Sequence, residues 1–192
     1  GTAGAARAFI EAHLFADPLP CKMYYVSCPA FRYEKPQSGR LRQFHQNGVE
    51  VFGAADASVD AEIIALAMDV LRGCGIGDLR LAINSIGCPH CRALYLEKLR
   101  AYLQPKIGGL CETCRERFER NPLRILDCKI DAPALTDAPA MLDSLCDDCR
   151  SHFEKLKGYL DALGISYEID PRIVRGLDYY TKTVFEIITD TE

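Results

Sequence analysis

The apolar and polar positions divide the chain into strands early, helices in the middle and strands again near the end. Tyr24–Phe31 (YYVSCPAF) and Phe44–Phe52 (FHQNGVEVF) are rich in aromatic and β-branched residues and predict two strands. Between them, Glu34–Arg42 holds Pro36 and Gly39, which break regular structure, so the three pieces read strand, polar loop, strand. A helix is expected ahead of them at about Ala3–Ala16, terminated by Pro18 and Pro20. Behind them, Ile63, Leu66, Ala67, Val70 and Leu71 recur at helical spacing. They predict an amphipathic helix over Ala57–Gly73 with those residues as its core face. Leu79–Ile86 (LRLAINSI) predicts a further strand.

From Gly87 the pattern changes. Cys88-Pro-His-Cys91 opens a helical segment to about Gln104, and Cys111-Glu-Thr-Cys114 opens another. Thr136–Leu145 reads as helical or turn-like, because Asp137 and Pro139 interrupt it. Cys146-Asp-Asp-Cys149 opens a long helix to about Leu163, with Leu156, Leu160 and Leu163 as its buried face and Gly164 ending it. Ile165–Ile169 and Thr183–Thr189 are strands expected to rejoin the first sheet. The order predicts an α+β fold: a flanked antiparallel sheet interrupted by a mainly helical insertion, rather than alternating parallel βαβ units. The expected boundaries are 1–86 and 165–192 for the sheet-bearing domain and 87–164 for the insertion.

The chain has 192 residues, 48% hydrophobic and 26% charged, enough for one core and a small second lobe. A net charge of −4 excludes a generally basic nucleic-acid binder, so any RNA contact must be local. No run is long enough to span a bilayer and none reads as a signal peptide, so a cytoplasmic location is expected.

The polar loop and its flanks carry the candidate chemistry. Arg32, Glu34, Lys35, Arg40 and Arg42 are ionisable, and Gln46 and Glu50 lie four apart on the return strand, hence on one side of it. Guanidinium groups clamp phosphate bidentately and an aromatic ring such as Phe44 can stack on a base, so the set suits a nucleotide. A solvated hairpin with a chance run of charge is the plainer alternative.

Ten cysteines, six of them in Cys-x-x-Cys pairs, point to a reducing compartment and a metal. Two such pairs complete a tetrahedral zinc site with no open position, which would be structural. A helix from Pro89 to Gln104, about 24 Å long at 1.5 Å per residue, would carry Cys88 and Cys91 away from Cys111 and Cys114. The first turns of the two later helices could meet more easily. The expected ligands are therefore Cys111, Cys114, Cys146 and Cys149, with Cys88, Cys91 and Cys128 as rivals and His152 as a spare. Reduced thiols without metal are the alternative. A redox role is disfavoured because no thioredoxin-like βαβ unit frames the pairs. Cys21, Cys28 and Cys74 read as plain core or surface residues.

The pattern F-R-x-E, loop, R-x-F-H-Q resembles motif 2 of class II aminoacyl-tRNA synthetases, and its continuation QFHQNGVEVFG resembles the histidyl version. Val174–Glu186 (VRGLDYYTKTVFE) is similar to the histidine-binding segment of that family, and Asn121–Lys129 (NPLRILDCK) also matches it. The resemblance implies activation of histidine by ATP, with Mg2+, and transfer to tRNA(His), by a homodimeric enzyme in full length. It implies Arg32 on the α-phosphate, Arg40 on the β- and γ-phosphates, Glu34 on the adenine amino group and Phe44 stacked on the base. It implies that Arg175 supplies positive charge other class II enzymes take from a metal ion. It places Glu50 and Tyr180 on the imidazole, with Tyr179 beside them, and Gln46 and Thr2 on the α-amino group. Thr2 could instead merely cap its helix, the two tyrosines could be packing residues, Arg175 a surface arginine, and His45 either a substrate contact or a core hydrogen bond. Relative to the family, motif 1 is expected before Gly1, and motif 3 and the anticodon-binding domain after Glu192. Zinc is not implied by the resemblance. Two alternatives share the fold: the regulatory subunit of ATP phosphoribosyltransferase in histidine biosynthesis, and a non-catalytic tRNA-binding relative. The completeness of the residue set favours the enzyme.

Overall fold

A computed structural model describes residues 1–33, 35–36, 40–173 and 179–189. It forms two compact units, Gly1–Val59 and Asp60–Glu192. That division differs from the expected 87–164 boundary, since the helical stretch stays within the second unit.

In the first unit, α1 (Thr2–Glu11) is followed by a 3-10 turn at Leu14–Ala16. The helix expected to run to Ala16 stops early because His13 adopts a left-handed conformation, φ 54°. Strands β1 (Cys21–Phe31) and β2 (Gln43–Phe52) pair antiparallel, with Met23 opposite Glu50, Cys28 opposite Gln46 and Ala30 opposite Phe44. The register shifts between Tyr25 and Cys28, where Ser27 has φ 52° and its N–H donates to Asn47 Oδ1 at 2.7 Å. Phe9 of α1 stacks on Phe52 of β2, ring centroids 4.4 Å apart. Among the described residues, no hydrophobic side chain before Ala57 is fully buried.

The second unit is built on β3 (Leu79–Ser85), the centre of a three-stranded sheet with β4 (Tyr167–Ile169) and β5 (Thr183–Thr189) in the order β4-β3-β5. Among the described residues, β4 and β5 pair with β3 and not, as expected, with β1 or β2. Nor is the sheet wholly antiparallel. β4 pairs parallel to β3, Leu81 opposite Tyr167, while β5 pairs antiparallel. Parallel neighbours need a long crossover, and the helical stretch between β3 and β4 supplies it. Ala82, Ile86, Ile173 and Val184 form the core of this sheet.

Helix α2 (Ala57–Gly73) has the predicted span but not the predicted inner face. Ala57, Ala61, Ile64 and Met68 are buried, whereas Leu66 and Val70 are exposed. Both stripes have helical spacing, so periodicity alone could not choose between them. Helices α3 (Pro89–Leu103), α4 (Glu112–Arg120) and α5 (Asp147–Ala162) enclose a second core, in which Tyr95, Leu99, Leu103, Phe118, Ile125 and Leu145 are prominent. Thr136–Leu145 holds only one 3-10 turn, Met141–Ser144. In α5, Leu156 and Leu160 are fully buried, but Leu163 is the C-cap residue and is exposed. Gly164 ends α5 at φ 67°. His152 of α5 meets Asp60 of α2, Nε2 to Oδ2 2.8 Å, so it is engaged away from the cysteines. No helix among the described residues is long and apolar enough to cross a membrane.

Candidate functional site

Strand alternation does most of the positioning in the hairpin. Along β2, Phe44, Gln46, Gly48, Glu50 and Phe52 are half-buried on one face, while Gln43, His45, Asn47 and Val49 face outward. Three expected site residues therefore share one side of the strand, and His45 is exposed on the other. Arg32 follows β1, and its N–H donates to Arg42 O at 2.7 Å, closing the base of the loop. The Arg32 guanidinium lies over the Phe44 ring, 4.1 Å from its centroid. The residues expected on phosphate and on adenine are thus in contact. Arg40 is exposed.

Gln46 Oε1 accepts a hydrogen bond from the Gly1 ammonium at 3.3 Å. Thr2 is exposed and is the first residue of α1, whose N-cap is Gly1, so Thr2 does not cap the helix. In the second unit, Tyr179 and Tyr180 stack, ring centroids 5.1 Å apart. Tyr180 lines a cleft of about 560 Å³ with Thr183, Val184, Phe185, Glu186 and Ile187. The Arg92 guanidinium of α3 donates to the Tyr180 carbonyl. Glu34 and Arg175 lie outside the described residues.

The cysteines form two groups. Cys88, Cys91, Cys146 and Cys149 make one; Cys111, Cys114, Cys128 and Asp131 make the other. Within each, the ligand atoms all lie within 4.8 Å of one another. The expected set Cys111, Cys114, Cys146 and Cys149 is therefore split between the two. The pairs share one device: Cys88, Cys111 and Cys146 are the N-cap residues of α3, α4 and α5, and each partner stands in the first turn. The positive end of each helix faces a site for thiolates. As expected, α3 carries its pair away from Cys111 and Cys114. It is α5, however, that returns to the start of α3, because Met141–Leu145 runs beside Gly87. A Cβ on Gly87 would lie 2.8 Å from Met141 Cε and 3.1 Å from Leu145 Cδ2. The Cys146 N–H then donates to Cys91 Sγ at 3.1 Å.

Asp131 was not foreseen. Cys128-Lys129-Ile130-Asp131 repeats the Cys-x-x-Cys spacing with an acid in second place, and that was the available signal. Both Asp131 carboxylate oxygens accept from the Cys111 N–H at 3.2 Å. Burial raises the Asp131 carboxyl, but the Cys111 and Cys114 thiols and the Cys111 N–H outweigh it and hold the carboxyl below its ordinary range. The Cys91 N–H, then the Cys91 thiol, lowers Cys88 to about 6. Burial pushes Cys149 up to about 12 and raises Cys114 as well. Each group thus mixes sites favourable and unfavourable to thiolate, as expected where thiols share protons.

The family model described as Histidyl-tRNA synthetase matches residues 1–191. A histidine--tRNA ligase of Clostridium perfringens is 58% identical over 99% of this chain and 46% of its own length. That of Caldanaerobacter subterraneus subsp. tengcongensis is 56% identical over 98% of this chain and 46% of its own. The chain therefore spans about half the length of these relatives. The crystal structure of apo S. aureus histidyl-tRNA synthetase superposes with a TM-score of 0.74 at 40% identity, over 97% of this chain and 44% of that one. A Bacillus halodurans C structure described as an ATP phosphoribosyltransferase regulatory subunit/histidyl-tRNA synthetase has a TM-score of 0.65 at 22% identity, over 98% and 53%, which is a likeness of fold alone. On the match across residues 1–191 and these identities, the chain belongs to the histidyl-tRNA synthetase family.

Proposed function

We propose that this chain carries the motif 2 hairpin and the histidine-binding segment of an enzyme that joins histidine to ATP and passes the histidyl group to tRNA(His). The observation carrying this reading is the contact of Arg32 with Phe44, on the same side of the hairpin as Gln46 and Glu50. Relatives at 56–58% identity named histidine--tRNA ligase support it over the regulatory subunit.

In this reading ATP arrives with Mg2+, and the histidine carboxylate attacks the α-phosphate in line, forming histidyl-adenylate as the bond to the departing pyrophosphate breaks. Negative charge grows on the phosphoryl oxygens, and fixed cations stabilise it without covalent work by the protein. Arg32 and Arg175 supply that charge, and Arg40 meets the β- and γ-phosphates. Phe44 stacks on adenine and Glu34 accepts from its amino group. Neutral imidazole offers one donor and one acceptor. Glu50 accepts the N–H, and Tyr180 meets the other nitrogen with Tyr179 stacked behind it. Gln46 and Thr2 hold the α-amino group; Gln46 is half-buried on the same face of β2 as Phe44 and Glu50. Polar groups left unpaired by any other amino acid give strong discrimination. The stretch 87–164 is an insertion into the catalytic fold, and its cysteines supply donors for structural zinc. The full-length protein is a homodimer of the cytoplasm.

The test is pyrophosphate exchange into ATP by the full-length protein. Exchange is expected only with histidine present, and Arg32→Ala is expected to lower it by about 10²–10³-fold. ATP binding without exchange, in a folded protein, would favour the regulatory reading.

A further inference from the structure

We infer that the chain binds two zinc ions at independent centres with different donors: four thiolates from Cys88, Cys91, Cys146 and Cys149, and three thiolates with one carboxylate from Cys111, Cys114, Cys128 and Asp131. This extends the reading of the cysteines as structural zinc donors. It does not depend on histidine activation.

Zinc bonded to sulfur at about 2.3 Å sets tetrahedral sulfur separations near 3.8 Å. The Cys88 and Cys91 sulfurs stand 3.5 Å apart, and those of Cys111 and Cys128 3.9 Å. Disulfides need about 2.05 Å, and these cysteines are free. Thiols buried merely as small hydrophobes would face carbon. Here Cys91, Cys114 and Cys149, all fully buried, turn toward other donors. Asp131 is 7% exposed, and its carboxylate oxygen lies within 4.8 Å of the sulfurs of Cys111, Cys114 and Cys128, a donor set of the kind zinc takes. The N–H bonds from Cys146 to Cys91 sulfur and from Cys111 to Asp131 fix one donor residue against another within each group.

Such fasteners suit the surrounding fold. Only Cys114 and Phe118 of α4 are buried, too little apolar surface to hold a nine-residue helix in place. The segments at Gln104–Gly109, Pro122–Ile125, Ala132–Ala134 and Met141–Ser144 are all 3-10 turns. Small irregular cores of this kind are often held by metal. The four-thiolate centre joins the starts of α3 and α5. The mixed centre joins the start of α4 to the turn carrying Cys128 and Asp131.

The test is zinc analysis of the chain purified without chelator, by elemental and native mass spectrometry. Two ions per chain are expected. Cys128→Ser and Cys146→Ser are each expected to retain one. Asp131→Ala is expected to yield one ion to a chelator while keeping the other. One ion in the unsubstituted chain would overturn the second centre but leave structural zinc standing, and none would overturn both. Loss of both ions in either serine variant, or chelator resistance unchanged by Asp131→Ala, would overturn independence or the carboxylate ligand. Measurement on the unsubstituted chain needs no variant to fold, and exchange activity is not its readout.

Discussion

Gly87 joins β3 to α3, and replacing it with alanine should be unusually costly. Two effects combine there. Its φ is +60°, and a left-handed conformation costs a residue with a Cβ about 1–2 kcal/mol. The new methyl would also lie 2.6 Å from Cys91 Cβ, besides Met141 and Leu145. Two of those neighbours are in the packed interior and Cys91 is in a helix, so overpacking should add about 1–3 kcal/mol. Gly164 is the control: its φ is +67°, but nothing lies within 4 Å of a Cβ there. Gly164→Ala should therefore cost only the strain, about 1–2 kcal/mol. Urea unfolding of both variants, followed by far-UV circular dichroism, separates the terms. With a slope of roughly 2 kcal/mol per M, Gly87→Ala should unfold about 0.5–1.5 M before Gly164→Ala. Equal midpoints would refute the close approach of Met141–Leu145 to Gly87, and with it the route by which α5 meets α3.

Three further outcomes are expected. Leu156→Ala should cost about 2–5 kcal/mol by leaving a cavity, whereas Leu163→Ala, at a position 55% exposed, should stay within about 0.5 kcal/mol; parallel unfolding curves check this. Asp60→Ala leaves the buried His152 ring nitrogen unpaired and should cost about 1–3 kcal/mol, whereas Asp60→Ala added to His152→Phe should cost less than the two substitutions summed, by a double-mutant cycle. The Tyr102 hydroxyl, then Lys106, holds the Asp137 carboxyl below its usual range. Its contribution is present above about pH 4, near the unfolded value, and lost as pH falls through the folded value. Asp137→Asn should therefore unfold earlier than the unsubstituted chain near neutral pH and converge with it in acid.

Local chemistry was legible in the sequence wherever one short signal decided the outcome. Aromatic and β-branched runs marked both strands of the hairpin, two-residue alternation put Gln46 and Glu50 on one face with Phe44, and each Cys-x-x-Cys marked a helix start. What failed depended on distant contacts. Two apolar stripes competed on α2, and only packing selected Ala61, Ile64 and Met68. Which thiol pairs met depended on the path of Met141–Leu145, whose turns carry no periodic pattern. The parallel pairing of β4 is three residue pairs long, too short to announce its direction. Asp131 is an acid in a chain with many acids, and only its spacing from Cys128, that of the Cys-x-x-Cys pairs, sets it apart.

The meeting of Cys88 and Cys91 with Cys146 and Cys149 has a consequence for tolerance to change. The starts of α3 and α5 meet there, and Leu126–Thr136 in between lines a shallow pocket with Asp170, Arg172, Ile173 and Glu186. Insertions at Gly108, where a Cβ would meet nothing within 4 Å, would lengthen an open turn without disturbing that junction or the register of β3 with β5, since lengthening a loop with fixed ends costs little. The same stretch could thus vary widely in length among relatives while the sheet beneath stays constant.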